Sequence, residues 1–599
     1  MMSTQPTAEF APSTSESNAT AAAVLLLVAV TLAVYAPSVF QNGFLNWDDQ
    51  GQLFKNPDFN PPTFHSVSGY WFTPHMSLYM PVTYTLWGIT AAIAQTSPDS
   101  AGITLNPAYF HALNLVLHIA VTLMVFAILR RFEFRIFASC AAAMVFAIHP
   151  IQVEAVCWAS GMYTVLSGVF VLAAVFLYSS FSRSVADRAH SISAPSKRRS
   201  VILYSTATCV FVLAMLSKPS AVVAILLAAI LDLLVARRSL SATVKALAPW
   251  AVLAAPLIYL LRQVQPASIV ADQPLWFRPV IMANAISSYL VKLVFPLNLA
   301  VDYGDSPMWL RAHPAALLMI VLPVAVGCIA LTARRRAPWF PVGLALLASG
   351  ALPFLGLMKF DFQHFSTVAD RYIYPGMLGV SWIIAGVLDT WNKIATRVVA
   401  AALLLLLASL SFVQTQVWRD TGTLFAHNLE VNPTSLQANS NLGFLAMADG
   451  KVDEAIAHYR NALIADPQDP DTNADLGNAL MATGALDEAI EHYRVALRLM
   501  PNDPRIINNL GIALARSGHL REAATEFATA IRLDEGNTDP ARDVRAGAHI
   551  NLGLIHQQAG NLPAAADEFR QALVVDPHSR SAAIALQRLN AHLSTKPAN

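Results

Sequence analysis

The chain runs to 599 residues, 55% of them hydrophobic, with a mean hydropathy of +0.47. Only 13% of its residues are charged, where a soluble globular protein carries about 25%, so a disordered chain and a wholly soluble enzyme are both excluded. The net charge of +1 conceals a division, because residues 1–417 hold 24 Lys/Arg against 16 Asp/Glu while residues 418–599 hold 15 against 22. These are two bodies suited to two solvents, a sparse, basic, apolar one followed by a soluble, acidic one.

Residues 1–18 are polar and read as a disordered tail. The tail carries Glu9 and Glu16 but no Lys or Arg. It therefore lacks the basic start of a cleaved signal peptide, and the run behind it is expected to be a permanent anchor. A bilayer-spanning helix needs about 20 apolar residues. Such runs lie near 19–40, 109–129, 136–156, 161–181, 200–217, 219–236, 246–262, 314–333, 338–357, 373–390 and 396–416. A further run, 281–297, is short and contains Lys292; it is predicted to lie in the outer interface without crossing.

The basic loops are Arg130-Arg131 to Arg135, Arg183 to Arg199, Arg237-Arg238 to Lys245, Arg334-Arg335-Arg336 and Lys393 to Arg397. Such loops are retained in the cytoplasm. The count that satisfies them is about 11 spans within 19–417, with everything after 417 outside. That side is the periplasm of a bacterial inner membrane, or the lumen of the endoplasmic reticulum in a eukaryote. The outer side then collects the loop 41–108 with Asn46-Trp47-Asp48-Asp49, the stretch His149 to Glu154, Ser217-Lys218-Pro219, and Val368 to Tyr372. Tyr70 to Trp87 reads as an interfacial helix region. Acids are scarce inside the spans, Asp232 lying near a cytoplasmic end, which disfavours a proton-coupled transporter and favours chemistry at one face.

Cys140, Cys157, Cys209 and Cys328 have no metal-ligand spacing and are expected to be small buried residues. His111 and His118 share a helical face seven residues apart, a spacing read as packing or hydrogen bonding. No Gly-rich phosphate loop appears. The basic residues sit between apolar runs, so their partner is anionic lipid and no nucleic-acid partner is expected.

The soluble part repeats itself. Asn441-Leu442-Gly443 recurs as Asp475-Leu476-Gly477, Asn509-Leu510-Gly511 and Asn551-Leu552-Gly553, with glycine steps of 34, 34 and 42. Tyr459, Tyr493, Phe527 and Phe569 keep step, as do Gly450, Gly484, Gly518 and Gly560. This is the 34-residue tetratricopeptide pattern, a helix–turn–helix unit stacked into an α-solenoid. Small residues let paired helices approach, and the aromatic is expected to fill the gap to the next unit. The reading is a leading half-repeat at 418–435, four repeats at 436–579, and a capping helix and tail at 580–599. The eight extra residues before the fourth repeat, in the polar, Gly-containing stretch Asp534 to Asp543, are expected to be a loop. Such an array binds extended peptide; its acids are either a solvated face or a device for choosing partners.

The ordered motifs resemble the GT-C glycosyltransferases that use polyprenyl-phosphate sugars. The resemblance is strongest to the transmembrane and tetratricopeptide repeat-containing proteins and their bacterial relatives. It is carried by Phe44 to Asp49 with Asn56-Pro57, Tyr109 to His118, Ala147 to Pro150 with Glu154, Leu216 to Pro219, and Ala369 to Pro375. It covers nearly the whole chain and implies an all-α, polytopic enzyme that transfers a sugar from a lipid phosphate outside the membrane, with inversion. Eukaryotic proteins similar to this one mannosylate Ser/Thr of secretory proteins. The repeats would then bind the acceptor protein. The lipid-linked sugar is a substrate, no resident cofactor is implied, no metal ligand is assigned, and dependence on a divalent metal is left open.

An alcohol needs a carboxylate to take its proton as it attacks. Asp48 and Asp49 are the candidate catalytic residues, Asp48 first. A departing lipid phosphate needs positive charge, a role suited to Arg371 or Lys218, with His149 and Glu154 shaping the sugar or phosphate pocket. Relatives often carry a basic residue near Gly161-Met162-Tyr163, where this chain has none. Each residue also has a structural reading. The Asp pair suits a turn or helix cap, Arg371 an ion pair with Asp370 or an interfacial anchor, Lys218 a hairpin anchor, and His149 a helix end. A non-catalytic membrane scaffold for envelope protein assembly is the alternative.

Overall fold

The computed structural model describes residues 14–99, 102–190, 196–264, 272–535 and 544–595. Most of the expected tail, the loop after Asp534 and the last four residues lie outside them. The chain divides into two compact units, Met1–Asn432 and Pro433–Asn599. Every described element is a helix or turn, with isolated bridges in place of strands.

The first unit begins with α1 (Thr14–Gln41), which reaches back into the expected tail so that Glu16 meets Arg130 at 2.7 Å. In the following loop come α2 (Phe64–Gly69) and α3 (Pro81–Ala94); the Trp/Tyr-rich stretch from Tyr70 to Trp87 is helical only from Pro81, residues 70–80 forming the turns between the two helices. Then come α4 (Pro107–Arg131), α5 (Ile136–Ile148), α6 (Val153–Cys157), α7 (Met162–His190), α8 (Lys197–Ser217), α9 (Val223–Ile230) and α10 (Leu240–Val264). They are followed by α11 (Arg278–Val294), α12 (Pro307–Ala312), α13 (Val321–Ala333), α14 (Trp339–Ala351), α15 (Met377–Thr390), α16 (Ile394–Val417) and α17 (Thr421–Val431).

All eleven apolar runs are helical, but three fall short of an uninterrupted span. Among the described residues, eight helices are long and apolar enough to cross a membrane, or nine if α5 and α6 are one span bent by 52°. The bend falls where Pro150 lacks an N–H and holds His149 extended at φ −74°, ψ 130°. The other two, 219–235 and 339–354, are shorter apolar helices; the former starts in a 3-10 turn at Pro219 and ends in a π turn. The expected 11 crossings therefore require a bent helix and two short ones. In the second unit and the tail between, boundaries move too: α17, expected to lead the repeats, is grouped with the first unit, where Asn428 accepts from the Asp302 N–H at 3.0 Å.

The basic loops gather at one end of the first unit. Arg135 lies 3.7 Å from Asp389, and Arg397 stacks over Phe137 at 5.2 Å. Trp339, next to the arginine triplet, packs on Gly386. The doubtful run, α11, keeps to the other end. Arg278 donates to the Leu357 carbonyl at 3.0 Å, and the Leu293 carbonyl accepts from His149 at 3.1 Å. Cys140 and Cys157 are buried, but Cys209 and Cys328 are exposed. An apolar neighbourhood does not imply protein burial when the outer face of a helix meets lipid.

The second unit pairs α18 (Leu436–Ala448) with α19 (Val452–Ala465), α20 (Pro470–Thr483) with α21 (Leu486–Leu499), α22 (Pro504–Arg516) with α23 (Leu520–Asp534), and α24 (Arg545–Gln558) with α25 (Leu562–Val575). The final helix is α26 (Arg580–Thr595). Gly484 takes φ +86° between α20 and α21, a left-handed turn open to glycine. Each repeat aromatic covers the glycine of its own unit: a Cβ on Gly477 would lie 2.8 Å from the Tyr493 ring, and one on Gly511 2.7 Å from Phe527. The aromatic thus sets the approach within a pair, where spacing had assigned it to the gap between units.

Candidate functional site

The site forms where the loop after α1 meets the α6–α7 turn, the α8–α9 junction and the 3-10 turn before α15. Helix α4 organises it. His111, Asn114 and His118 fall on one face at positions i, i+3 and i+7. His111 Nε2 holds the Gly43 carbonyl at 3.3 Å, and Asn114 donates to the Val156 and Trp158 carbonyls at 3.3 and 2.7 Å. His118 Nε2 donates to the Ala147 carbonyl at 2.9 Å, while Nδ1 accepts from the Tyr374 hydroxyl at 2.8 Å. One helix face therefore fastens three of the segments that carry site residues.

The two adjacent aspartates stand in different surroundings. Asp49 is fully buried. Its Oδ2 accepts from the Leu45 N–H at 2.9 Å, and its Oδ1 accepts from the Ser160 N–H at 2.8 Å and the Ser160 hydroxyl. Burial pushes its pKa up to about 6, against the pull of those donors, so it remains largely ionised at neutral pH. Asp48 is half-buried and has no hydrogen-bond or ion-pair partner among the described residues. Burial raises its pKa above the ordinary carboxylate value, and the nearby Arg371 charge lowers it in part.

Arg371 is buried and paired with Glu154, also buried. Glu154 Oε2 accepts from the Arg371 backbone N–H at 2.9 Å, and its other oxygen accepts from the guanidinium. Four rings surround the guanidinium, with centroids 4.6 Å (Phe362), 4.7 Å (Tyr372), 5.4 Å (Trp158) and 5.6 Å (Trp47) away. Trp47 and Trp158 stack at 4.7 Å, which ties the residue before Asp48 to the wall around Arg371. A buried charge held this way is paired, hydrogen-bonded and faced by π clouds, which offsets its desolvation.

Lys218 completes the cluster. Its Nζ donates to Thr164 Oγ1 at 2.8 Å and sits 4.6 Å over Tyr163 and 5.5 Å over Phe354. Phe354 stacks on Tyr372 at 4.0 Å. Burial first, then the Arg371 charge, lowers the Lys218 pKa to about 7. Only one of three ammonium hydrogens has a described acceptor, so two remain for a ligand.

Asp48, Asp49, Glu154, Lys218 and Arg371 are therefore brought together. His149 is not part of the group: Nδ1 accepts from the Ile151 N–H at 3.2 Å and Nε2 donates to the Leu293 carbonyl at 3.1 Å, so one ring nitrogen serves the α5–α6 bend and the other ties it to α11. Arg371 pairs with Glu154 and not with its neighbour Asp370, which accepts from the Tyr303 hydroxyl at 2.8 Å. The aromatic wall, Ser160 and Thr164 escaped sequence reasoning. Their only signal is position: Trp158, Ser160, Tyr163 and Thr164 follow Glu154 closely, and Tyr372 follows Arg371. Among the described residues, no group of three or more His, Cys, Asp and Glu is arranged to hold a metal ion.

The architecture defines an integral membrane protein, all helical, with a tetratricopeptide region. Residues 446–506 and 508–582 each match a family model described as tetratricopeptide repeat. A Caenorhabditis elegans protein named protein O-mannosyl-transferase F38B6.6 is 25% identical over 478 residues, covering 74% of this chain and 63% of the relative. The human protein O-mannosyl-transferase TMTC1 is 26% identical over 425 residues, covering 61% of this chain and 46% of the relative. A solved repeat protein, YrrB, is 23% identical and covers 30% of this chain and 89% of its own, with a TM-score of 0.26. The chain is thus similar over much of its length to proteins named protein O-mannosyl-transferase, as the resemblance carried by its motifs implies, and spans about half the length of the curated relatives it matches.

Proposed function

We propose that the chain is a membrane glycosyltransferase that moves a sugar, mannose by analogy with its relatives' names, from a polyprenyl-phosphate carrier to a protein Ser/Thr hydroxyl. The observation that carries the reading is the asymmetry of the site. A half-buried Asp48, without a hydrogen-bond or ion-pair partner among the described residues, stands beside two cations faced by aromatic rings. The acceptor hydroxyl attacks the anomeric carbon from the face opposite the phosphate. Asp48 takes the hydroxyl proton as the new C–O bond forms. The bond between the anomeric carbon and the phosphate oxygen breaks, and its electron pair leaves with the polyprenyl phosphate. Lys218 donates hydrogen bonds to that developing charge, and Arg371 adds a fixed field. Asp49 holds the loop so that Asp48 stays in place, and Glu154 positions Arg371. In this reading the site faces the outer compartment, and the repeats, which follow in the chain, present the acceptor. The test is mass spectrometry of the exported glycoproteome in cells carrying the wild type or Asp48→Asn. Loss of a set of hexose-modified Ser/Thr peptides in the variant, at equal protein level, is the expected result; an unchanged set would refute the assignment.

A further inference from the structure

A polar cavity lies at the end of the membrane unit away from the candidate site. Helix α4 starts beside the candidate site and ends at Arg131; its 25 residues at about 1.5 Å rise each separate the two ends by about 37 Å. There a cavity of about 350 Å³ is lined by residues of α4, α7 and the α9–α10 junction. That size falls within the roughly 300–1,000 Å³ typical of small-ligand sites.

Its charges are unevenly matched. Asp232 is saturated: it accepts from the Tyr178 hydroxyl at 2.9 Å, the Thr243 hydroxyl and the Arg238 guanidinium at 3.0 Å each, and the Ser182 hydroxyl. Arg183 is paired with Glu133. Two lining charges have no hydrogen-bond or ion-pair partner among the described residues, the half-buried Arg131 and the exposed Asp187. They lie within electrostatic reach of each other without touching, and Arg131 also feels the like charges of Arg183 and Arg199. The apolar remainder of the wall includes Val175, Ala228, Leu231 and Val235.

One cation and one anion, separated across a cavity that is partly apolar and sits at a membrane-helix end, complement a zwitterion attached to a hydrocarbon. We propose that this cavity binds the headgroup of a phosphoethanolamine lipid, with the phosphate on Arg131 and the ammonium on Asp187. An anionic headgroup satisfies Arg131 but leaves Asp187 repelled, so the pair selects the zwitterion. The site is distinct from that of the proposed transfer and stands whether or not that transfer occurs.

The test uses the full chain in nanodiscs of equal phosphatidylethanolamine and phosphatidylglycerol, with native mass spectrometry of retained lipid. The wild type is expected to keep phosphatidylethanolamine in excess. Arg131→Gln is expected to lower its retention at least fivefold, and Asp187→Asn, an exposed change that spares the fold, to remove the preference over phosphatidylglycerol. Equal retention of both lipids by the wild type, or unchanged retention in both variants, would overturn the proposal. Displacement of the lipid by equimolar soluble glycerophosphoethanolamine would overturn it too, by assigning the cavity to a free phosphate ester.

Discussion

Asp49 spends both carboxylate oxygens on donors from Leu45 and Ser160, whereas the Asp48 oxygens have no hydrogen-bond or ion-pair partner among the described residues. The two substitutions should therefore separate stability from chemistry. Asp49→Ala strands two buried N–H groups and is expected to cost about 1–3 kcal/mol for each group left unsatisfied, read as a drop in Tm. Asp48→Asn should leave Tm within about 1 °C of the wild type, since it breaks no contact and falls under the small effects typical of such positions. A comparable Tm loss in both variants would contradict this division. Titration follows from the same surroundings. A base acts only when deprotonated, so transfer should fall as pH drops through the raised Asp48 pKa, placing the acidic limb of kcat/KM above the ordinary Asp value of about 4. A cation acts only when protonated, so the rate should also fall as pH rises through the Lys218 pKa near 7. Lys218→Arg, which stays charged, should abolish the alkaline limb while the acidic one remains. An alkaline limb that survives Lys218→Arg would exclude Lys218 as its source. The sequence singled out Asp48, Glu154, Lys218 and Arg371 because a charge beside an apolar run is conspicuous. It hid Ser160, Thr164 and the aromatic wall because small hydroxyls and rings are ordinary residues in membrane proteins. His149 stands apart for a related reason: a histidine before proline looks available, but one nitrogen caps the turn at Ile151 and the other bonds to α11 at Leu293.

Elements show where pattern and packing part company. The hydropathy of α5 and α6 is continuous, yet the proline bends them by 52°, and the bend is what aims Glu154 at Arg371. Likewise the 34-residue step announces four repeat units, while the partner of each aromatic appears only when the helices pack. The α14–α15 contact is a further case, invisible as anything but scattered glycines. A Cβ on Gly379 would stand 2.2 Å from the Gly343 carbonyl oxygen, so the helices touch backbone to backbone. Overpacking of this kind costs about 1–3 kcal/mol. Because α15 follows directly on the turn that bears Arg371, Gly379→Ala should lower both Tm and transfer. Gly327→Ala, where an added Cβ would meet nothing within 4 Å, should lower neither. If Gly379→Ala matched the wild type in both measurements, the close contact would have no part in holding the site.

At the scale of the whole molecule, the split of a +1 chain into a basic and an acidic body anticipates the two compact units, displaced by about one helix. α17 belongs with the membrane unit because Asn428 and Thr421 hydrogen-bond into its loops, contacts that composition does not register. The basic loops, read as cytoplasmic, converge at one end, and the residues proposed to act on substrate or to hold those that do converge at the other. On that separation the proposed sugar transfer and the proposed lipid retention belong to opposite ends of the membrane unit. The central claim is that Asp48 activates the acceptor. Its most direct measurement is transfer from synthetic polyprenyl-phosphate mannose to a Ser/Thr peptide by the purified full chain, wild type beside Asp48→Asn. Wild-type activity with a loss of at least 100-fold in the variant, in line with the roughly 10²–10⁴-fold contribution of a general base, is the predicted result. Equal rates for the two proteins would contradict it.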